Sequence, residues 1–150
     1  KRFRKLLNDN FDVRLLGKWA LGRHWRKATK IERAEYLAQF EEFLIATYSK
    51  RFRQLTTEKI NVASATSRSS RLAIVHSRLI RESNKPVRID WRVAYPRGKY
   101  KIVDIIVEGI SMLQTRRSEF GSVIRQNGGK VSGLTAALHD KTESLKKRRK

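Results

Sequence analysis

Cysteine is absent from the 150 residues, so this chain can build no disulfide and offers no thiolate as nucleophile or ligand. That absence does not identify the compartment. Long apolar runs are missing too. A membrane-spanning helix needs roughly 20 apolar residues, and the best local run, Ile105-Ile106-Val107, falls far short. Acidic residues are scarce: 14 Asp and Glu against 35 Lys and Arg leave a net charge of +21. An excess of that size attracts phosphate, whether on nucleic acid, a lipid headgroup or an anionic membrane. Charge alone does not choose among them, and here it is spread along the whole chain.

Catalytic signatures are equally thin. His24, His76 and His139 stand far apart, with no partner at metal-ligand spacing such as H-x-x-x-H. No G-x-S-x-G is present, and Gly128-Gly129 lacks the surroundings of a phosphate-cradling loop. No cofactor and no metal is expected. The sequence opens on Lys1 without a signal-like segment, and a processed or partial form is expected.

What is present suits one domain over residues 1–150: a hydrophobic content of 39% supports a packed core. Phe3, Leu6 and Leu7 sit at helical spacing in the basic opening stretch. Asn10 or Asp12 is placed to cap a short helix running through Trp19, and Gly22 breaks it before His24-Trp25. Thr29 and Glu32 form a capping box. Leu37, Phe40, Leu44 and Tyr48 then recur every three or four residues, widened by Phe43 and Phe52, which predicts a long amphipathic helix ending near Arg51.

From Thr57 the period becomes two. Ile60, Val62 and Ala63 suggest a first strand, and Arg71 to Arg81 a second. Val87, Ile89, Trp91, Val93 and Tyr95 alternate with Arg88, Asp90, Arg92 and Ala94, a strand with one apolar face. Tyr100 to Val107 makes a fourth strand. Ser83-Asn84-Lys85-Pro86 and Pro96-Arg97-Gly98 are turn signals, so the strands form an antiparallel meander. Ser111 and Gln114 offer a second capping box before Leu113, Phe120, Val123 and Ile124, with Gly128-Gly129 as the stop. A last helix from Ser132 carries Leu134, Ala137 and Leu138.

Two alternatives follow from the residues. Helices with a curved antiparallel sheet also describe small cone-shaped enzymes, in which Asp104, facing a pocket, would act as a base. Against that, Asp90 and Asp104 each have a simpler use as the partner of an arginine. The second alternative is a basic nucleic-acid-binding domain, with Arg88 and Arg92 on a sheet face and Trp91 or Tyr95 for stacking. Trp91 and Tyr95, however, share the parity of Val87, Ile89 and Val93, which places them toward the core.

The stretches Leu21-Gly22-Arg23-His24-Trp25, Ala28-Thr29, Glu35-Tyr36, Phe40, Thr47-Tyr48 and Val103-Asp104-Ile105, leading to Glu108-Gly109-Ile110-Ser111, resemble the MlaC family of Gram-negative bacteria. Gly133, Leu134 and Leu138 approximate its terminal pattern. The resemblance spans about Phe11 to Asp140. It implies a periplasmic lipid carrier, not an enzyme. Such a carrier moves phospholipid between an outer-membrane lipoprotein complex and an inner-membrane ABC transporter complex with its MCE-type lipid-binding subunit, in the service of outer-membrane lipid asymmetry. It also implies an α+β fold in which a curved antiparallel sheet of about four strands packs with several helices around an apolar cavity. The family's first helices are expected to lie outside this stretch.

Lining candidates are then Phe40, Leu44 and Tyr48 on the long helix and Trp91, Val93, Ile105 and Val107 on strands. By the resemblance, Tyr48 is the helix-end tyrosine near the cavity, its hydroxyl toward glycerol or ester oxygens. Lys27, Arg33 and Arg88 are candidates for the cavity mouth or for partner docking. Phospholipid is the implied cargo, with a hopanoid or another apolar lipid as the alternative.

Overall fold

The computed structural model describes residues 2–55, 59–82, 85–95 and 98–149. Thr57 and the turn residues Ser83, Asn84, Pro96 and Arg97 lie outside them. Among the described residues the chain forms helices α1 (Arg2–Asn10), α2 (Val13–Leu21), α3 (His24–Lys27) and α4 (Lys30–Leu55), then strands β1 (Lys59–Ser69), β2 (Leu72–Ile80), β3 (Val87–Ala94), β4 (Lys101–Val107) and β5 (Ile110–Ser111), then helices α5 (Met112–Gln126) and α6 (Val131–Lys147). The strands pair antiparallel in sequence order as one curved, open sheet. The α+β expectation holds; the two-residue β5 adds a fifth strand that periodicity did not reveal.

Local chemistry sets the helix starts. Asp12 Oδ1 accepts from Leu15 N at 3.1 Å and begins α2, whereas Asn10 instead closes α1 by donating to Leu6 O. Thr29 Oγ1 accepts from Glu32 N, and Ser111 Oγ from Gln114 N, both at 3.1 Å. These bonds satisfy amides that the first turn leaves without a partner. Gly22 ends α2 at φ +56°, where a side chain would be strained.

The main core belongs to the helices. Tyr36, Phe40 and Phe43 of α4 meet Phe120 and Ile124 of α5, Leu134 and Leu138 of α6, and Ala20 and Leu21 of α2. Phe120 stands edge-on to Tyr36, Phe40 and Phe43, with ring centroids 6.2 to 6.4 Å apart. Gly17 lets α2 approach α4, because a Cβ there would lie 2.6 Å from Leu37 Cδ2. Tyr36 Oη donates to Gly17 O at 2.8 Å and fastens the same crossing. Helices α1, α2 and α5 reach the sheet at β4, while α4 packs chiefly on α6, with α2 and α1 beside it.

The sheet is bent by irregularities. Val103 bulges out of the β3–β4 pairing and is fully buried, and β1 breaks register between Val62 and Ser64. Bulges of this kind kink a strand and increase its twist. The first strand runs well past Ala63, and all eleven of its residues are exposed.

Candidate functional site

Cross-strand register assembles one apolar face. Val75 pairs with Trp91, which pairs with Ile105; Ser77 pairs with Ile89, which pairs with Val107; Val93 lies between Ala73 and Ile102. Alternation puts these side chains on one side of the sheet. Among the described strand residues the fully buried hydrophobics are Leu79 (3% exposed) and Val103 (0%). Trp91, Val93, Ile105 and Val107 are each only partly buried. The face is therefore contiguous, apolar and half covered. Trp91 turns its polar edge into the sheet, with Nε1 donating to Ser77 Oγ at 2.8 Å and Ser77 Oγ donating to Ile89 O at 2.7 Å. Those bonds hold the indole in place and leave its apolar surface for contact.

The helix candidates separate along α4. Phe40 is packed among Tyr36, Phe120 and the approach of Gly17, as a core residue is. Leu44 and Tyr48, further along, are partly buried. Tyr48 Oη accepts from Arg116 Nη2 at 2.6 Å. The Arg116 guanidinium lies 5.1 Å from the Phe43 ring centre and 5.7 Å from that of Tyr48, and its other end bonds Glu119 at 3.0 Å. Arg116 was not among the sequence candidates, yet the signal was there: it stands three residues after Leu113 and four before Phe120, a cation on the apolar stripe of α5.

The three basic candidates are not brought together. Arg33 is tied to α3, with Nε donating to Trp25 O at 2.9 Å and the guanidinium 4.9 Å from the Trp25 ring centre. At 1.5 Å per residue, Arg33 lies about 22 Å along α4 from Tyr48. Lys27 is exposed at the end of α3. Arg88 projects from the opposite face of the sheet, where it bonds Asp90 at 2.9 Å.

That opposite face carries His76, Arg88, Asp90 and Arg92 beside Ile74 and Ile106. Thr66 Oγ1 lies 3.0 Å from His76 Nε2, and His76 Nδ1 lies 3.0 Å from Asp90 Oδ1, beside a cleft of about 260 Å³. Burial opposes ionisation of Asp90, but hydrogen bonds from His76 and Arg88 outweigh it and hold the carboxyl below its ordinary range. Although hydroxyl, imidazole and carboxylate follow one another as in hydrolases, Thr66 sits on the exposed edge strand and Arg88 shares Asp90. As placed, the chain stitches three strands together.

Asp104 has a different use from either of those expected. Its carboxylate accepts from Ser111 Oγ, Ile105 N at 2.8 Å and Leu113 N at 3.1 Å, so it organises the β4–α5 junction, and these donors take the place of an arginine. Tyr95 also departs from its parity: it is 41% exposed and lies 4.6 Å from the ring of Tyr100, itself 74% exposed. Among the described residues no group of His, Asp and Glu is placed to hold a metal ion, and no helix is long and apolar enough to cross a membrane.

A family model described as "MlaC protein" matches residues 1–140. Among solved structures, the fold is similar to a phospholipid-binding protein from Ralstonia solanacearum in complex with a phospholipid. The TM-score is 0.82 at 24% sequence identity, covering 94% of this chain and 80% of that one.

Proposed function

The chain belongs to the MlaC family, and on that footing we propose that it is a lipid carrier that holds the acyl chains of a phospholipid against the half-covered apolar face of its sheet. The observation that carries this reading is the in-register set of partly buried Trp91, Val93, Ile105 and Val107, left outside a core that the helices complete among themselves. Leu44 and Tyr48 face the cargo from α4. Each acyl methylene left in water costs about 0.8 kcal/mol, which makes bare transfer across an aqueous space prohibitive. Passage from a bilayer to an apolar protein surface exchanges one apolar setting for another and needs no catalytic group.

In the cell this carrier works in the periplasm. It passes lipid between an outer-membrane lipoprotein complex and the MCE-type subunit of an inner-membrane ABC transporter. Family membership supports that reading, and the phospholipid bound to the Ralstonia protein supports the class of cargo. The test uses two vesicle populations. Delipidated protein is incubated with donors carrying fluorescent phospholipid and is then moved to unlabelled acceptors. Label should appear on the protein and then in the acceptors. Protein that takes up no label at low salt would remove the carrier reading.

A further inference from the structure

Two unpartnered polar groups lie near Phe43 and Tyr48 of α4. Arg116 lies over the rings of Phe43 and Tyr48 and donates to Tyr48 Oη. Among the described residues its Nε–H is buried without a hydrogen-bond partner. The hydroxyl of Thr47, one turn beyond Phe43 on the same helix face, is likewise buried and unpartnered. Buried polar groups are nearly always satisfied, so an unpartnered guanidinium N–H over these rings, with a second unpartnered donor one turn from Phe43, marks a place where an acceptor fits. The one carboxylate bonded to Arg116 among the described residues, Glu119, is 53% exposed and competes weakly from water.

We propose that Arg116, with Thr47, binds a phosphate oxygen of the lipid headgroup at the Tyr48 end of the apolar face, so that the protein selects phosphodiester lipids over uncharged diacyl lipids. This inference rests on the carrier reading. A phosphodiester oxygen accepts from Nε–H and from the Thr47 hydroxyl. The bond to the guanidinium is charge-assisted, and the planar fork suits the oxyanion. The ring faces of Phe43 and Tyr48 cover part of the cation, and where water is displaced its attraction for the anion is stronger. Tyr48 Oη, already the acceptor of one Nη, holds the guanidinium in place when lipid leaves.

The test compares extraction of fluorescent phosphatidylglycerol with that of fluorescent diacylglycerol of the same chains, each from phosphatidylcholine vesicles, by wild type, Arg116→Gln and Thr47→Val. Wild type should prefer the phospholipid by about tenfold or more, the scale of one charge-assisted contact. Arg116→Gln should bring the ratio of phosphatidylglycerol to diacylglycerol extraction close to one. An Arg116→Gln protein that is folded by circular dichroism and keeps the full preference would overturn the proposal. Should that variant not fold, Thr47→Val decides: a severalfold loss of preference is expected for a hydrogen bond to an anionic oxygen, and no loss overturns it. Inorganic phosphate is the control for a free-anion site. If it stabilises wild type but not Arg116→Gln against heat while lipid preference is equal in both, the headgroup assignment falls. Wild type that extracts neither lipid removes the carrier reading itself, a failure distinct from extraction of both lipids without preference.

Discussion

At the scale of residues, Tyr48 and Arg116 act as one unit. Tyr48→Phe keeps the ring and removes only the acceptor for Arg116, so the protein should fold and retain most of its lipid. Tyr48→Glu sets a carboxylate against that same guanidinium. The new ion pair occupies the donors, and any charge left unpaired faces a desolvation cost of several kcal/mol. Bound lipid, assayed as phosphorus in an organic extract, should fall severalfold in Tyr48→Glu while circular dichroism stays native. Wild-type lipid content in folded Tyr48→Glu would take Tyr48 out of the site. His24 gives a second prediction at this scale. It is 8% exposed, and burial, then the charges of Arg23, Lys27 and Arg125, hold its imidazole below the ordinary value of 6.5. The unfolded chain therefore binds a proton that the folded chain refuses. Stability should be full above about pH 6.5 and fall as pH drops through and below it. Urea unfolding at pH 7.5 and pH 5 should show a smaller drop in His24→Gln than in wild type.

At the scale of elements, the parts that could be read from sequence are those where one period dominates. The stripe of α4, the alternation of β3 and the caps at Asp12, Thr29 and Ser111 were legible because local chemistry alone sets them. The length of β1 was not, because Asn61, Ser64, Thr66 and Ser67 give it no apolar alternation, and its pairing is supplied by β2. Phe40 and Leu44 share one stripe, yet one closes the helical core and the other borders it, a distinction that depends on what the far side of the helix meets. Arg116 does not stand out in the sequence, because apolar residues define an amphipathic stripe and the informative residue here is the cation interrupting it. Asp104 shows the same limit: only the folded β4–α5 junction reveals three donors converging on it. Asp104→Ala removes their common acceptor and should cost about 1–3 kcal/mol in urea unfolding. Unchanged stability would contradict its role at that junction.

At the scale of the whole molecule, charge and apolar surface point in different directions. A net charge of +21 guarantees attraction to any polyanion. The sheet face carrying Arg88 and Asp90 offers no stacking platform from Trp91, whose indole is bonded to Ser77 on the other side. Binding to nucleic acid should therefore be independent of sequence and fade by physiological ionic strength, as counterion release requires. A fluorescence-anisotropy salt titration with unrelated duplexes checks this, and selective binding that survives physiological salt would favour the nucleic-acid reading. The half-covered apolar face raises a different need, since a patch of this kind asks for a ligand or a partner. Native mass spectrometry of the freshly purified protein, paired with lipid extraction, tests the central claim most directly. The carrier account predicts an adduct with the mass of a diacyl phospholipid, recovered as that lipid in the extract. Protein that runs at its bare mass, yields no lipid and gains none after incubation with phospholipid vesicles would contradict it.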